Sequence, residues 1–141
     1  MGLDRDQLVD VLGGFDPAEY EAEVAERWGQ TDAYRESARR TGSYSRDDWE
    51  RITAEVEAIE AGFAECLIAG ESPDSAQAKD LAERHRLHID STYYPCSHDM
   101  QCMLADMYVA DDRFARHYDD RAAGLANYVR EAILANAIDR A

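Results

Sequence analysis

Between Tyr93 and Phe114 the chain reads YYPCSHDMQCMLADMYVADDRF, gathering two of its three cysteines, three of its four methionines and one of its four histidines around a single proline. Thioethers and thiols are polarizable and adapt to irregular apolar shapes, so a methionine-rich helix beside aromatic rings suits a surface that receives a ligand, or else a core. Met100, Met103, Leu104, Met107 and Tyr108 recur at steps of three and four and share one helix face. Cys102 is turned by about 100° from Met103 and points away from that face. Cys96 stands just before Ser97, a candidate N-cap. The orphan amides and the dipole there favour thiolate, although cysteine is more often a small buried apolar residue.

Other groupings carry weaker chemistry. His98 and Cys102 stand four apart and His85 and His88 three apart, types and spacings compatible with zinc or haem but matching no closed four-ligand pattern. Core or cleft-lining histidine is the better reading, and no metal or cofactor is expected. Tyr93 and Tyr94 precede Pro95, which favours extended backbone and lets one ring turn inward and the other outward. No G-x-S-x-G, phosphate-binding glycine loop or H-E-x-x-H occurs, so the chain is not expected to be an enzyme.

Helices are the elements that must position these side chains. Glycines and prolines punctuate the chain at Gly13-Gly14, Gly29, Gly42-Ser43, Gly70 to Asp74 and Pro95. Asp16 before Pro17, Ser45 with Asp48, Asp74 or Ser75, and Ser97 are expected to start helices as N-caps. Trp49, Ile52, Val56, Ile59, Phe63 and Leu67 keep one face for five turns, and Leu125, Tyr128, Val129, Ala132, Ile133 and Ala137 repeat the pattern near the C-terminus. Leu81, His85, His88 and Ile89 suggest a helix between them. Period-two alternation is absent, which predicts an all-α bundle.

The N-terminal third differs. From Phe15 to Tyr44 the stripe thins to Tyr20, Val24, Trp28 and Tyr34 among many charges. Two short helices with so little to bury depend on tertiary packing. Residues 1–141 therefore read as one domain, with 45–141 as helical core and 1–44 as a flexible lid or a docked pair of surface helices.

Composition excludes several classes. The net charge of −15, from 30 acids against 15 bases, opposes a phosphate backbone, so no nucleic-acid binding by this chain alone is expected. No apolar run approaches the roughly 18 residues of a spanning helix, so no membrane insertion is expected. Three cysteines without a C-x-x-C pair favour thiols in a reducing compartment, and Asp4, Asp6 and Asp10 occupy the place of a basic leader, which points to the cytoplasm.

Five blocks, FDPAEYEAEVAERWGQTDAYRES, YSRDDWERI, YYPCSHDM, MYVADDRF and GLANYVREAILANA, resemble the TipAS effector domain, the thiopeptide-antibiotic recognition module of thiostrepton-induced MerR-class regulators. The resemblance spans Phe15 to about Ala137. It implies a globin-like all-α fold without haem, a cleft for large cyclic thiopeptides and N-terminal helices that order around the drug. It also implies longer relatives with a MerR-type DNA-binding domain, this chain corresponding to a stand-alone or excised effector domain. The family's capturing cysteine lies four residues before the methionine of the Met-Tyr-Val block, where this chain has Met103, and a thioether does not form that adduct. Non-covalent binding and sequestration of thiopeptides, for resistance or sensing, is therefore expected. Rings would pack against Met100, Met103, Leu104, Met107 and Tyr108, flanked by Tyr34, Trp49, His88, Tyr94 and Cys96. The alternatives are covalent capture through Cys102 or Cys96, a metal- or haem-binding protein, and a protein-interaction adaptor.

Overall fold

The computed structural model describes residues 32–140, apart from the side chains at 33 and 34. Among these residues every regular element is an α-helix: α1 (Asp32–Thr41), α2 (Arg46–Ile68), α3 (Ala76–Thr92), α4 (His98–Ala110), α5 (Asp112–Asp119) and α6 (Leu125–Arg140). The all-α expectation holds. Asp16, most of the weak N-terminal stripe and most of the 1–44 lid segment lie outside the described residues.

Local chemistry explains the boundaries. At the start of α2, Ser45 Oγ accepts from the Asp48 amide at 3.2 Å while the Asp48 carboxylate accepts from the Ser45 amide at 2.9 Å, a reciprocal capping box. Ser75, rather than Asp74, caps α3 by accepting from the Ala78 amide at 3.2 Å. Gly70 ends α2 with φ of 77°, a left-handed conformation that costs glycine little. The Glu71 amide then reaches Cys66 O and the Gly70 amide reaches Leu67 O, closing the last turn.

The described residues form two compact units. One comprises 32–56 with Ile89–Pro95. Here the Trp49 ring, 8% exposed, meets Tyr44 edge-on at 5.6 Å and Tyr93 at 6.5 Å. Arg40 donates to Asp90 O at 2.7 Å, and the Tyr44 hydroxyl donates to Thr92 O. Burial, followed by the neighbouring Tyr44, pushes the Tyr93 phenol up to about 12.

The second unit comprises Glu57–His88 with 96–140. Its core joins Ile59 and Phe63 of α2, Ala78 and Ala82 of α3, Ala105 of α4, Tyr118 of α5, and Leu125, Val129, Ala132 and Ile133 of α6. Alanines at four of these places let helix backbones approach closely. The stripes read from Ile59 to Leu67 and from Leu125 to Ile133 are thus core stripes. One boundary differs from the sequence reading: Asp111, extended at φ −99° and ψ 118°, separates α4 from α5 with no glycine or proline to announce it. Its carboxylate caps α5 by accepting from the Arg113 amide at 2.9 Å.

Candidate functional site

Helix α4 carries the methionines, and its two sides do different work. Ser97, with extended backbone, accepts from the Met100 amide at 3.1 Å and so fixes where the helix starts. The residues α4 buries are Gln101 and Ala105, both 0% exposed, with Cys102, Tyr108 and Val109 partly buried against the same core. Met103 lies about 160° around the helix from Ala105 and is 55% exposed. Met100, Leu104 and Met107 are half-buried. The methionine row is therefore not what fills the interior of this unit.

Gln101 anchors the dry side. Its Nε2 donates to Ala82 O at 2.8 Å and lies 2.9 Å from His85 Nδ1. An amide nitrogen only donates, so His85 Nδ1 accepts and the imidazole is neutral with its proton on Nε2. Burial first, then the nearby His88, brings the His85 value down to about 4, which agrees with a neutral ring. Gln101 Oε1 has no hydrogen-bond partner among the described residues. The Tyr108 ring meets His85 edge-on at 6.0 Å, Phe114 at 5.7 Å and Tyr118 at 5.4 Å. Tyr108 thus stands at the border between the methionine row and the core.

The thiols occupy unequal settings. Cys96 is 1% exposed, its Sγ directed to Ser97 O at 3.7 Å. Cys102 packs against the core, and burial followed by the Asp99 and Asp106 charges pushes its thiol up, away from thiolate. That placement matches the turn of Cys102 away from the methionines. His88 is buried, and Tyr94 is half-buried beside the packed Tyr93. Trp49 belongs to the other unit's aromatic cluster. Tyr34 lies in α1, its side chain outside the described residues. Of the metal candidates, His98 Nε2 donates to Glu83, and among the described residues no three His, Cys, Asp or Glu side chains come together as a metal site.

Sequence reasoning did not single out Glu83 or Gln101. Glu83 accepts from Arg86 at 2.6 and 3.1 Å, from His98 at 2.9 Å and from Asn136 at 3.0 Å, joining α3, α4 and α6. The Arg86 guanidinium, ahead of the other partners, holds its carboxyl down at about 2. Arg86 also donates to Cys96 O at 2.7 Å, pinning the chain just before the methionine helix. Only the Glu83 to Arg86 spacing is visible in the sequence. A glutamine inside an otherwise apolar helical stretch was the one signal for Gln101.

The arrangement offers an outward thioether row on a helix whose opposite side is locked by hydrogen bonds. Comparison with known proteins gives it a context. A sequence model of the TipAS antibiotic-recognition domain matches residues 20–136. The HTH-type transcriptional activator TipA of Streptomyces coelicolor is 46% identical over 138 residues, covering 98% of this chain and 54% of that protein. The HTH-type transcriptional activator mta of Bacillus subtilis is 35% identical over 115 residues, covering 82% of this chain and 44% of its own. The chain spans about half the length of the curated relatives it matches. Among solved structures, TipAS of Streptomyces lividans in complex with nosiheptide superposes with a TM-score of 0.90 at 46% identity, covering 99% of this chain and 98% of that one. The antibiotic-binding domain of a TipA-class multidrug resistance transcriptional regulator gives 0.60 at 43% identity, covering 65% and 98%. The fold is accordingly all-helical and globin-like.

Proposed function

The chain belongs to the TipAS antibiotic-recognition domain family, and we propose that it binds and sequesters thiopeptide-type antibiotics without forming a covalent bond. The observation that carries this reading is the position of Met100, Met103, Leu104 and Met107 outside the interior that α4 helps to fill. Soft, adaptable side chains in that position suit large apolar ligands with many rings, whose burial supplies affinity without catalysis. The near-complete likeness to TipAS holding nosiheptide supports the same ligand class. Tyr108, His88 and Cys96 are the candidate contributors from the same unit.

The protein then acts in the cytoplasm as a receptor rather than an enzyme, giving drug resistance or ligand sensing. Its relatives named as HTH-type activators support a link to transcription when a DNA-binding domain accompanies it. Non-covalent binding is favoured over capture because Cys102 packs against the core and Cys96 is buried.

Titration with nosiheptide, thiostrepton and unrelated aromatic antibiotics, followed by tryptophan emission and calorimetry, is expected to give saturable binding of the thiopeptides alone. Absence of thiopeptide binding refutes the reading. Intact mass after incubation is expected to equal that of the protein; a stoichiometric adduct lost in Cys102→Ser establishes covalent capture instead.

A further inference from the structure

We propose that Met103 is a reversible oxidation site, and that conversion of its thioether to the sulfoxide lowers the uptake of apolar ligands along α4. The effect on uptake rests on the antibiotic-binding reading above; the site itself rests on geometry. Met103 is 55% exposed, whereas Met100 and Met107 on the same face are half-buried. It lies on the side of α4 opposite Gln101 and Ala105, so a change there leaves the core contacts intact. Oxidation at this position alters a surface and not the fold.

The neighbouring sulfur is less available. Cys102 packs against the core, and burial together with Asp99 and Asp106 disfavours the thiolate that peroxides attack. The reaction at Met103 needs a peroxide as co-reactant. A sulfur lone pair attacks the distal peroxide oxygen and the O–O bond breaks. That oxygen becomes the sulfoxide oxygen, and the hydroxide left from hydrogen peroxide takes a proton to become water. Sulfur loses two electrons and the peroxide gains them. Methionine sulfoxide reductases return the thioether.

The product differs from the thioether where it matters for an apolar ligand. A sulfoxide oxygen is a strong acceptor, the side chains one turn away on either side of it, Asp99 and Asp106, are carboxylates that offer it no donor, and the nearby Arg130 guanidinium is already engaged by Asp106 at 2.9 Å. It therefore keeps its water shell. A ligand laid across the methionine row must strip that water without replacing its hydrogen bonds, a penalty that an unoxidised row does not impose.

Hydrogen peroxide treatment of the whole chain, followed by dithiothreitol to reverse sulfenic acids and disulfides, is expected to place sulfoxide at Met103 before Met100 or Met107 on peptide mass mapping. The Kd for nosiheptide is then expected to rise by about tenfold or more. Treatment with both stereospecific reductases restores it, while circular dichroism stays constant. Met103→Gln, a polar stand-in, is expected to weaken binding without peroxide. In Met103→Leu, the Kd measured before and after peroxide is expected to agree within about twofold. Equal or faster oxidation of Met100 or Met107, or an unchanged Kd with Met103 fully oxidised, overturns the proposal. Failure of the untreated protein to bind nosiheptide overturns the antibiotic reading and the regulatory role with it, while the mapping separately decides whether Met103 is the reactive sulfur.

Discussion

His117 donates its Nε2 proton to the carboxylate of Glu60 at 2.9 and 3.1 Å, joining α5 to a glutamate of α2 that is only 6% exposed. The hydrogen bond to Glu60, aided by the Glu60 charge and less by Glu57, raises the His117 value above 6.5, against the opposing effects of burial and then of Arg121. A raised imidazole stabilises the fold fully below its unfolded value of 6.5 and loses that contribution as pH climbs through the folded value. His117→Gln is therefore expected to destabilise most in mild acid, by less than about 1 kcal/mol because the ring is half exposed and screened. Urea unfolding of both proteins from about pH 5 to about pH 9 checks it; a gap that does not shrink with rising pH rejects the ion-pair account. Residue contacts of this kind were not legible beforehand, since 57 residues separate the partners. By contrast, the turn of Cys102 away from the methionines followed from one helical step.

At the scale of elements, the helix starts at Ser45, Ser75 and Ser97 were legible because one side-chain oxygen three residues before a backbone amide is a local signal. The break at Asp111 was not, because it depends on α5 turning to bury Tyr118 rather than on any residue that forbids a helix. The methionine face itself could be read from spacing, but whether it served core or surface could not. That was decided by Ala105 and Gln101, which take the inner side through contacts with distant helices. Ser97→Ala removes the oxygen that satisfies the Met100 amide and is expected to cost about 1 kcal/mol. Denaturant melts measure it directly, and a change within error shows that the first turn of α4 is held by the Glu83 contacts alone.

Across the unit as a whole, the chain's net charge of −15 does not stop one acid from acting as a tie. Glu83 stays ionised because Arg86, His98 and Asn136 all donate to it, and its side chain is 16% exposed. A carboxyl held near 2 instead of 4.5 contributes stability that is complete above 4.5 and disappears as pH falls toward 2. Glu83→Gln is expected to destabilise the protein by about 2 kcal/mol at neutral pH. Stability curves measured from neutral to strongly acidic pH should converge for the two proteins, and parallel curves refute the assignment. The all-α architecture was visible from periodicity, yet this junction of α3, α4 and α6 was not, because it is assembled from positions up to 53 apart.

One amide sets the register of that junction. Gln101 grips a backbone carbonyl and an imidazole of α3 at the same time, so a slide of α4 by a single residue would forfeit both. The outer sulfur row therefore inherits its alignment from the reverse side of the rod. Met103, the exposed member of that row, can thus be replaced while both grips of Gln101 stay in place.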